Sequence, residues 1–318
     1  MHVVAAVICD KQHRVLLSQR LAGRHRAGYW EFPGGKVARG EQAERALGRE
    51  LEEELGIVVQ QCRPLIQVLH AYEQHTVLLD VWQVSSFQGE AVGKEGQALQ
   101  WCHVDELSTM KMPEADLPVL KAISLPNYYV ITDEPSVGLN TFLDEQAQKF
   151  AAGAKLLQFR AKTLTRPLFK QYAQALIALA ADYRAQVLLN TDVSMASDLG
   201  AQGLHLTEKR LLNIHDRDVL DGFIVGASCH SVESLQHAEA LGVDFAVLSP
   251  VKKTLSHPEA EPLGWQGFAD MVKAVNIPVY ALGGMGFSDI ARAQNAGGQG
   301  VAGIGMFANP GSSPFPAE

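Results

Sequence analysis

The N-terminal third of the chain contains the segment GKVARGEQAERALGRELEEELGI, residues 35–57. Three leucines recur every four residues within it, which predicts an amphipathic helix over Gln42–Leu55. Gly56 follows the last leucine and is expected to end the helix. The leucine stripe would anchor this helix on a neighbouring sheet.

Glu50, Glu53 and Glu54 are expected to lie on one face of the helix, because positions three and four residues apart are neighbours. Carboxylates that close repel each other unless a cation lies among them. Oxygen ligands favour Mg²⁺ or Mn²⁺, and Mg²⁺ often bridges carboxylates to substrate phosphates. The tight loop Phe32–Gly35 could bring a backbone carbonyl to the same metal. A solvated acidic helix face is the alternative interpretation.

Composition and charge exclude several classes of protein. The chain has 318 residues, of which 47% are hydrophobic and 19% charged, so two globular domains are expected. A formal net charge of −8 argues against a non-specific nucleic-acid binder. No apolar run approaches the ~20 residues that span a bilayer. The four cysteines are far apart in sequence, which is typical of a cytoplasmic protein with reduced thiols.

Short apolar runs around the helix predict strands, and the first two would form a hairpin through Asp10–His13. The predicted strands are Val3–Cys9, Arg14–Gln19, Gln67–Leu69, Thr76–Val84 and Leu99–His103. This first domain would cover residues 1–125, with a linker at Ser124–Asn127.

Residues 128–318, the second predicted domain, alternate eight short apolar runs with helical stretches. The predicted strands are Tyr128–Thr132, Lys155–Arg160, Gln186–Thr191, Gly203–Leu206, Phe223–Cys229, Phe245–Pro250, Pro278–Gly284 and Gly300–Met306. The predicted helices are Asn140–Ala152, Pro167–Tyr183, Ser231–Leu241, Trp265–Val275 and Phe287–Ala296. This rhythm indicates a parallel (β/α)8 TIM barrel, with an open doubly wound sheet as the competing topology.

The segment 35–57 matches the Nudix box, G-x5-E-x7-R-E-U-x-E-E-x-G-U with U aliphatic, at every fixed position. Together with Arg20, His25 and the runs Trp30–Lys36 and Gly93–Gln97, it makes the first domain similar to MutT-type Nudix hydrolases. The resemblance implies an α/β/α sandwich with a mixed sheet. It also implies hydrolysis of a nucleoside triphosphate to the monophosphate and pyrophosphate. The preferred substrate would be 8-oxo-dGTP, so the enzyme would sanitise the nucleotide pool and prevent mutation.

The same resemblance implies roles for single residues of the first domain. The ligands of Mg²⁺, with Mn²⁺ as a substitute, would be Gly34, Glu50, Glu53, Glu54 and Glu95. The catalytic residues among them would be Glu50, Glu53 and Glu95, the last as a metal ligand or as a base. The substrate would contact Arg20, His25, Glu31, Phe32, Pro33 and Gly34.

Asp116 lies where the MutT branch carries an Asn that reads the oxidised purine. An Asn side chain offers a donor and an acceptor, whereas an ionised Asp only accepts. Asp116 could accept a hydrogen bond from N7–H of an 8-oxopurine, but it would repel O6 unless it is protonated. Burial would favour the protonated form. Other nucleotides and a thiamine-pathway diphosphate are therefore alternative substrates.

The second domain resembles the thiamine phosphate synthase and TenI-like family over most of residues 128–307. The matching pieces are Tyr129–Thr132, Gln158–Lys162, Leu189–Asn190, Gly203–Leu206, Gly226–Ser231 and Ala281–Met285. They fall at or near C-terminal strand ends, where barrel active sites are built. The resemblance implies that a phosphorylated thiamine-pathway ligand contacts Arg160, Lys162, Asn190, Ser228 and Gly284. It also implies that His230 is the acid or base of a thiazole tautomerisation.

The metal site of that family is altered in this sequence. The synthase holds Mg²⁺ with Asn-Asp after the third strand and an acidic residue after the fourth. Here Asn190 is followed by Thr191, and Arg210 falls at the second acidic position. A cation at a metal-ligand position argues against the same metal site. There are two other hypotheses for this domain. It could catalyse an isomerisation without a metal, or it could bind a ligand that regulates the hydrolase.

The sequence therefore predicts a Mg²⁺-dependent Nudix hydrolase of nucleoside triphosphates, fused to a TenI-like barrel. The competing hypothesis is a thiamine-pathway protein whose barrel binds or isomerises a thiazole or pyrimidine phosphate. Its Nudix domain would then hydrolyse a related diphosphate or be regulated by the barrel ligand. Neither a nucleic acid nor a membrane is an expected partner, and the sequence is compatible with a homo-oligomer.

Overall fold

A computed structural model of the chain describes residues 1–23, 26–73, 75–254 and 261–305. The chain divides into two compact units, Met1–Ser124 and Leu125–Glu318. Within the described ranges, no helix combines the length and the apolar character that crossing a bilayer requires. All four cysteines are free thiols.

The first unit is built on two sheets. Its strands are β1 (His2–Ile8), β2 (Arg14–Gln19), β3 (Trp30–Glu31), β4 (Gly34–Lys36), β5 (Val58–Ala71), β6 (Thr76–Gln88) and β7 (Leu99–His103). Its α-helices are α1 (Ala43–Leu55) and α2 (Leu117–Ser124), and its 3-10 turns are Val104–Thr109 and Glu114–Asp116. A mixed sheet has the order β4-β1-β6-β5, and an antiparallel sheet has the order β3-β2-β7.

Helices cover both faces of the mixed sheet, because the side chains of β1 alternate between the two faces. Val4, Ala6 and Ile8 of β1 pack against the three leucines of α1. Ala5 and Val7, on the other face, belong to the same core as Val119 and Ala122 of α2. Each fully buried leucine of α1 contributes roughly 1.5–3 kcal/mol to stability. The predicted α/β/α sandwich with a mixed sheet is confirmed.

The predicted hairpin between the first two strands is wrong. The turn forms, with Asp10 N–H donating to Arg14 O at 3.0 Å, and Cys9 bridges Val15. Beyond that bridge, β1 pairs with β4 and β6, whereas β2 pairs with β3 and β7. Both strands are buried along most of their length, so each needs hydrogen-bond partners on both edges. Two separate sheets provide those partners.

Strand β5 is much longer than the prediction of Gln67–Leu69, since it extends back to Val58 through Pro64. Its pairing with β6 shifts register near Gln61 and again at Pro64. A proline is tolerated at such an irregularity because it cannot donate to the ladder.

The second unit is a closed barrel of eight parallel strands, which confirms the TIM barrel and excludes the open sheet. Its strands are β8 (Tyr128–Ile131), β9 (Leu156–Phe159), β10 (Gln186–Leu189), β11 (Gly203–Leu206), β12 (Ile224–Cys229), β13 (Phe245–Leu248), β14 (Val279–Leu282) and β15 (Gly300–Gly303). Its α-helices are α3 (Leu139–Ala151), α4 (Arg166–Asp182), α5 (Val193–Asp198), α6 (Glu208–Leu211), α7 (Val232–Ala240), α8 (Gly264–Val272) and α9 (Ile290–Asn295). The short helices α5 and α6 were not predicted.

Aromatic rings fill part of the barrel interior. Tyr129, Phe245 and Tyr280 are fully buried there, and the rings of Tyr129 and Phe245 meet edge to face at 5.0 Å. The Tyr280 hydroxyl donates to the Pro126 carbonyl at 2.6 Å. Because the interior is packed, room for a ligand has to come from the loops at the strand ends.

Candidate active sites of the two units

Helix α1 brings Glu50 and Glu54 to the glycine pair that precedes it. Gly35 lies so close to Glu50 that a Cβ atom there would overlap the carboxylate. Gly34 has a φ of 151°, a Cβ atom on it would overlap the Val4 carbonyl, and its N–H donates to Glu54. Both positions therefore require the absence of a side chain.

Arg49 connects helix α1 to the residues that precede it. Its guanidinium donates to Glu41 at 3.0 and 3.1 Å, to Glu50 at 2.8 Å and to Glu53 at 3.3 Å. It also donates to the Lys36 carbonyl at 3.1 Å. Hydrogen bonds to Glu41 and Glu50 raise the pKa of Arg49 above its usual value. Arg49 thus fixes the orientation of the Glu50 carboxylate.

Glu54 is surrounded by negative charge. Burial and then the charge of Glu95 raise its pKa to about 7, and the charges of Glu50 and Glu31 act in the same direction. The hydrogen bond from Gly34 N–H opposes them. A divalent cation among these carboxylates would remove this repulsion.

The structure does not bring Glu53 into this group. Its side chain is 61% exposed and lies against Arg49. Successive helix positions differ by about 100°, so Glu53 and Glu54 lie on opposite sides of Glu50. Throughout the described parts of the chain, no group of three or more His, Cys, Asp or Glu side chains is arranged to hold a metal. The expected convergence of all three glutamates is therefore seen only for Glu50 and Glu54.

The loop over residues 92–97 docks on the C-terminal end of α1 and brings Glu95 to Glu54. Lys94 N–H donates to the Glu54 carbonyl at 2.9 Å, and Gln97 Nε2 donates to the same oxygen at 3.0 Å. These bonds satisfy a carbonyl that the end of a helix leaves without an intrahelical partner.

Asp116 lies in the 3-10 turn Glu114–Asp116 and is only 5% exposed. Burial, followed by the charge of Glu31, raises its pKa to about 8, against the opposing charge of Arg20. Arg20 and Glu31 form an ion pair at the adjoining ends of β2 and β3. At neutral pH Asp116 is therefore a neutral acid with one donor and one acceptor, as an Asn side chain would have.

Sequence reasoning missed the residues around Asp116. Arg26 pairs with Glu114, and its guanidinium lies 5.7 Å from the ring centroids of both Tyr29 and Tyr72. The charge of Asp116 contributes to raising the pKa of Tyr72, after burial. Only tertiary contact brings these distant segments together, so no local pattern could have identified them.

The remaining predicted substrate contacts are Phe32, Pro33 and His25. Phe32 is buried in the core that includes α2. The Pro33 carbonyl accepts a hydrogen bond from Ala6 N–H at 2.8 Å, so this residue joins the loop to β1. His25 lies outside the described residues.

In the barrel, a cavity of about 730 Å³ opens at the C-terminal ends of β9, β10 and β11. Three of the predicted ligand contacts, Arg160, Lys162 and Asn190, line it. Lys209 and Arg210 line it as well, and sequence reasoning identified neither as a ligand contact. Ser228, His230 and Gly284 are not among its lining residues, so the structure separates the predicted contacts.

His230 lies at the end of β12, where its orientation is fixed. Its Nδ1 atom is 2.8 Å from the Ser249 carbonyl, which can only accept, so Nδ1 carries the proton. Its backbone N–H donates to Glu208 at 2.9 Å. The imidazole is exposed, and its Nε2 atom has the free lone pair.

Ser228 and Gly284 contact other residues of the barrel. Ser228 Oγ is 2.9 Å from Nε2 of the buried His205, whose Nδ1 is 3.2 Å from the Tyr129 hydroxyl. Burial, and then the charge of Arg210, lowers the pKa of His205 to about 3, so this network is neutral. Gly284 has a φ of 63° and packs against the Lys253 carbonyl.

Comparison with known proteins assigns each unit. Residues 4–122 match a family model described as the NUDIX domain, and residues 128–307 match one described as thiamine monophosphate synthase. The first unit is 41% identical over 107 residues to the 8-oxo-dGTP diphosphatase of Proteus vulgaris, which covers 34% of this chain and 92% of that protein. The chain belongs to the Nudix and the thiamine monophosphate synthase families.

Each domain is also similar to one further protein. The Nudix domain is 38% identical over 122 residues to the CTP pyrophosphohydrolase of Escherichia coli K12, which covers 38% of this chain and 90% of that protein. The synthase-family domain is 41% identical over 186 residues to a protein of Aquifex aeolicus that carries the provisional name thiamine-phosphate synthase 2. That match covers 58% of this chain and 99% of the relative.

The barrel of this synthase-family domain does not fit the metal site that its family implies. Thr191 is buried, and its hydroxyl contacts the sulfur of Met195 at 3.2 Å. The Asp192 carboxylate caps α5 by accepting from Met195 N–H at 2.8 Å. The Arg210 guanidinium donates to the Asn190 side-chain oxygen at 2.9 Å, which leaves a fixed positive charge beside that oxygen.

Proposed function

We propose that the Nudix domain hydrolyses a nucleoside triphosphate to its monophosphate and pyrophosphate in a Mg²⁺-dependent reaction, with 8-oxo-dGTP as the substrate. The observation that carries this proposal is the clustering of Glu50 and Glu95 around Glu54 beside the Gly34–Gly35 pair, where burial and the neighbouring negative charge raise the pKa of Glu54. A cation and the phosphates that it carries would balance this charge.

The proposed ligands are hard oxygen donors, which suit Mg²⁺. They are the Gly34 carbonyl and the carboxylates of Glu50, Glu53, Glu54 and Glu95. When bound, the metal would polarise a phosphoryl oxygen and make a water molecule a better nucleophile.

Two features of the chain support this reaction. Arg49 keeps the Glu50 carboxylate turned toward the glycine pair. The loop over 92–97 holds the exposed Glu95 beside Glu54, where it can accept the proton of the attacking water. Glu53 lies at the outer edge, so we assign it a contact that forms only when metal and substrate are bound.

The buried acid Asp116 supports reading of an oxidised purine. Its carbonyl oxygen can accept from N7–H of 8-oxoguanine while its hydroxyl donates to O6. Guanine has no hydrogen on N7, so the carbonyl oxygen of Asp116 would lose its hydrogen-bond donor. An unpaired buried polar group costs about 1–3 kcal/mol, which is the basis for discrimination.

CTP is the second candidate substrate. Its cytosine offers a hydrogen-bond donor and an acceptor on one edge, as 8-oxoguanine does. The likeness to a CTP pyrophosphohydrolase supports this candidate, since a neutral Asp116 could pair with the exocyclic amine and the adjacent ring nitrogen. A thiamine-pathway aminopyrimidine diphosphate presents a similar edge, and the fused barrel supports that pathway.

The barrel is proposed to bind a phosphorylated ligand through Arg160, Lys162 and Asn190. His230 is its proposed acid or base, because its free Nε2 atom is exposed while Nδ1 is held by a carbonyl. The altered surroundings of Asn190 argue against the metal-dependent synthase reaction.

The test is the rate of pyrophosphate or phosphate release with Mg²⁺ from 8-oxo-dGTP, dGTP, CTP, the other nucleotides and thiamine-pathway diphosphates. We expect the highest kcat/KM for 8-oxo-dGTP. A higher value for CTP or for an aminopyrimidine diphosphate would replace the oxidised purine with that candidate. No release from any member of the panel would refute the hydrolase assignment.

A further inference from the structure

The cavity of the barrel is strongly cationic within an acidic protein. Four of the side chains that line it are cations, Arg160, Lys162, Lys209 and Arg210, and one is a carboxylate, Asp192. The whole chain has a formal net charge of −8. This local field opposes the net charge and would attract an anion.

The acidic groups near the cavity already have partners. Asp192 caps α5 and lies 3.9 Å from the Arg166 guanidinium. Glu208 accepts a hydrogen bond from His230 N–H. Glu134 accepts hydrogen bonds from the backbone N–H groups of Lys162 and of the next residue.

Arg210 lies beside the amide oxygen that a metal would need. It occupies the third position of α6, whose first turn is capped by the Thr207 hydroxyl through the Arg210 N–H at 3.4 Å. Its guanidinium donates to Asn190 Oδ1 at 2.9 Å. A divalent cation at this oxygen would meet a fixed positive charge at short range, which is unfavourable in a partly buried site.

We infer that this cavity binds a diphosphate-bearing anion without a divalent metal, and that the Arg210 guanidinium supplies the positive charge that a metal would otherwise provide. The inference rests on the proposed binding of a phosphorylated ligand by the barrel. One nitrogen of Arg210 is used by Asn190, and a guanidinium has five N–H donors in all. The remaining donors can bind phosphoryl oxygens in a forked geometry.

The number of cations favours a diphosphate over a single phosphate. A phosphate monoester carries about −1.5 to −2 charges at neutral pH, and a diphosphate carries more. Lys162 and Lys209 are exposed, and no described residue accepts a hydrogen bond from either ammonium group. Their positions allow a second phosphoryl group to be bound at the rim of the cavity.

The experiment is calorimetric titration of the full-length protein with inorganic pyrophosphate, once with EDTA and once with Mg²⁺. We expect binding in EDTA, and Mg²⁺ should not tighten the part of the binding that depends on Arg210. Arg210→Gln should weaken it about tenfold or more, because it removes a charged hydrogen-bond donor. Arg210→Lys should retain part of the affinity, since it keeps the charge without the fork.

Lys273→Gln is the matched control, because Lys273 is an exposed cation of the same barrel that lies outside the cavity, 3.7 Å from Asp270. It should leave the affinity within about twofold of the wild type, as a surface ion pair contributes little. Arg210→Asp should lose binding in EDTA and regain it with Mg²⁺. Circular dichroism of each variant checks that the barrel is folded.

Three results would overturn the inference. Equal affinity of the wild type and Arg210→Gln in EDTA would remove the role of Arg210. Binding that requires Mg²⁺ and is weakened by Arg160→Gln would refute metal-free binding, yet it would leave the proposed phosphate site of the barrel intact. If none of these variants weakens the binding of pyrophosphate, with or without Mg²⁺, both the inference and that proposed site are refuted.

Discussion

The candidate sites of the two domains carry opposite charges, although the ligand proposed for each carries phosphate groups. Carboxylates crowd around Glu54 in the Nudix domain, and its burial together with their negative charge raises its pKa. In the barrel, Arg210 stands beside Asn190 among three other cations. If phosphate groups are bound in both places as proposed, the first arrangement needs an added cation, whereas the second carries its cations on side chains. The balance of charge at a site, more than the fold, determines whether a metal is required.

The largest effect is expected from Glu54→Gln in the Nudix domain. If a metal is held beside Glu54, removing this charge should lower kcat for nucleotide hydrolysis about 10³-fold, since metal catalysis is worth several kcal/mol. Glu52→Gln is the control, because Glu52 is exposed on the same helix. Normal hydrolysis by Glu54→Gln in an initial-rate assay would show that this carboxylate has no part in the reaction.

Gly35→Ala should reduce hydrolysis about 10²-fold, because a Cβ atom would displace the Glu50 carboxylate and small misplacements of a reacting group cost this much. Gly48→Ala is the matched control within α1, where a Cβ atom has no neighbour within 4 Å. It should keep full activity and raise the free energy of unfolding by about 0.5–1 kcal/mol. Full activity of Gly35→Ala, equal to that of the control, would show that the close approach of Gly35 to Glu50 is not needed for hydrolysis.

Discrimination between 8-oxo-dGTP and dGTP should decline as the pH rises through the pKa of Asp116, which is about 8. The ionised carboxylate repels O6 of the base, so the ratio of kcat/KM values should fall about tenfold by about pH 9.5. The titratable groups that face Asp116 are Glu31, Arg20 and Tyr72, and the last has a pKa raised above its usual 10.0. Asp116→Asn should keep a constant ratio over the same range, and parallel profiles for both proteins would contradict the assignment.

The smallest effect concerns stability. The pKa of Asp116 is higher in the folded chain than its usual 3.8, so the native state keeps a proton that the unfolded state releases. Stability is therefore lost as the pH rises from about 4 to about 8, and no further loss follows above that window. Asp116→Asn lacks this dependence, so its Tm advantage over the wild type should grow by several degrees between about pH 5 and about pH 8. A Tm difference that does not change with pH would mean that Asp116 is ionised in the folded chain.

The sequence predicted the architecture where the hydrophobic pattern was regular. The bounds of Arg14–Gln19, Leu99–His103 and Gly203–Leu206 agree with the structure. The polar stretch before Pro64 concealed most of β5, because pairing with β6 rather than alternation of side chains makes it a strand. Helix α6 has only four residues and shows no helical period.

The candidate sites were predictable to the extent that their residues lie in one segment. The spacing of the box places Glu50 and Glu54 together, but the docking of Lys94 that brings Glu95 to them is a tertiary contact. The sequence marked Asp116 as a departure and named burial as the condition for its protonation. The adjoining charge of Glu31, which also raises its pKa, required the structure.

The most direct test of the metal requirement proposed for the Nudix domain is the initial rate of pyrophosphate release from 8-oxo-dGTP by the intact chain, measured in Mg²⁺ and in EDTA. The crowded carboxylates of the Nudix domain predict a rate in EDTA that is lower by about 10³-fold or more. Release at the same rate under both conditions would contradict the account, because hydrolysis would then proceed without the cation that Glu50, Glu54 and Glu95 are proposed to hold.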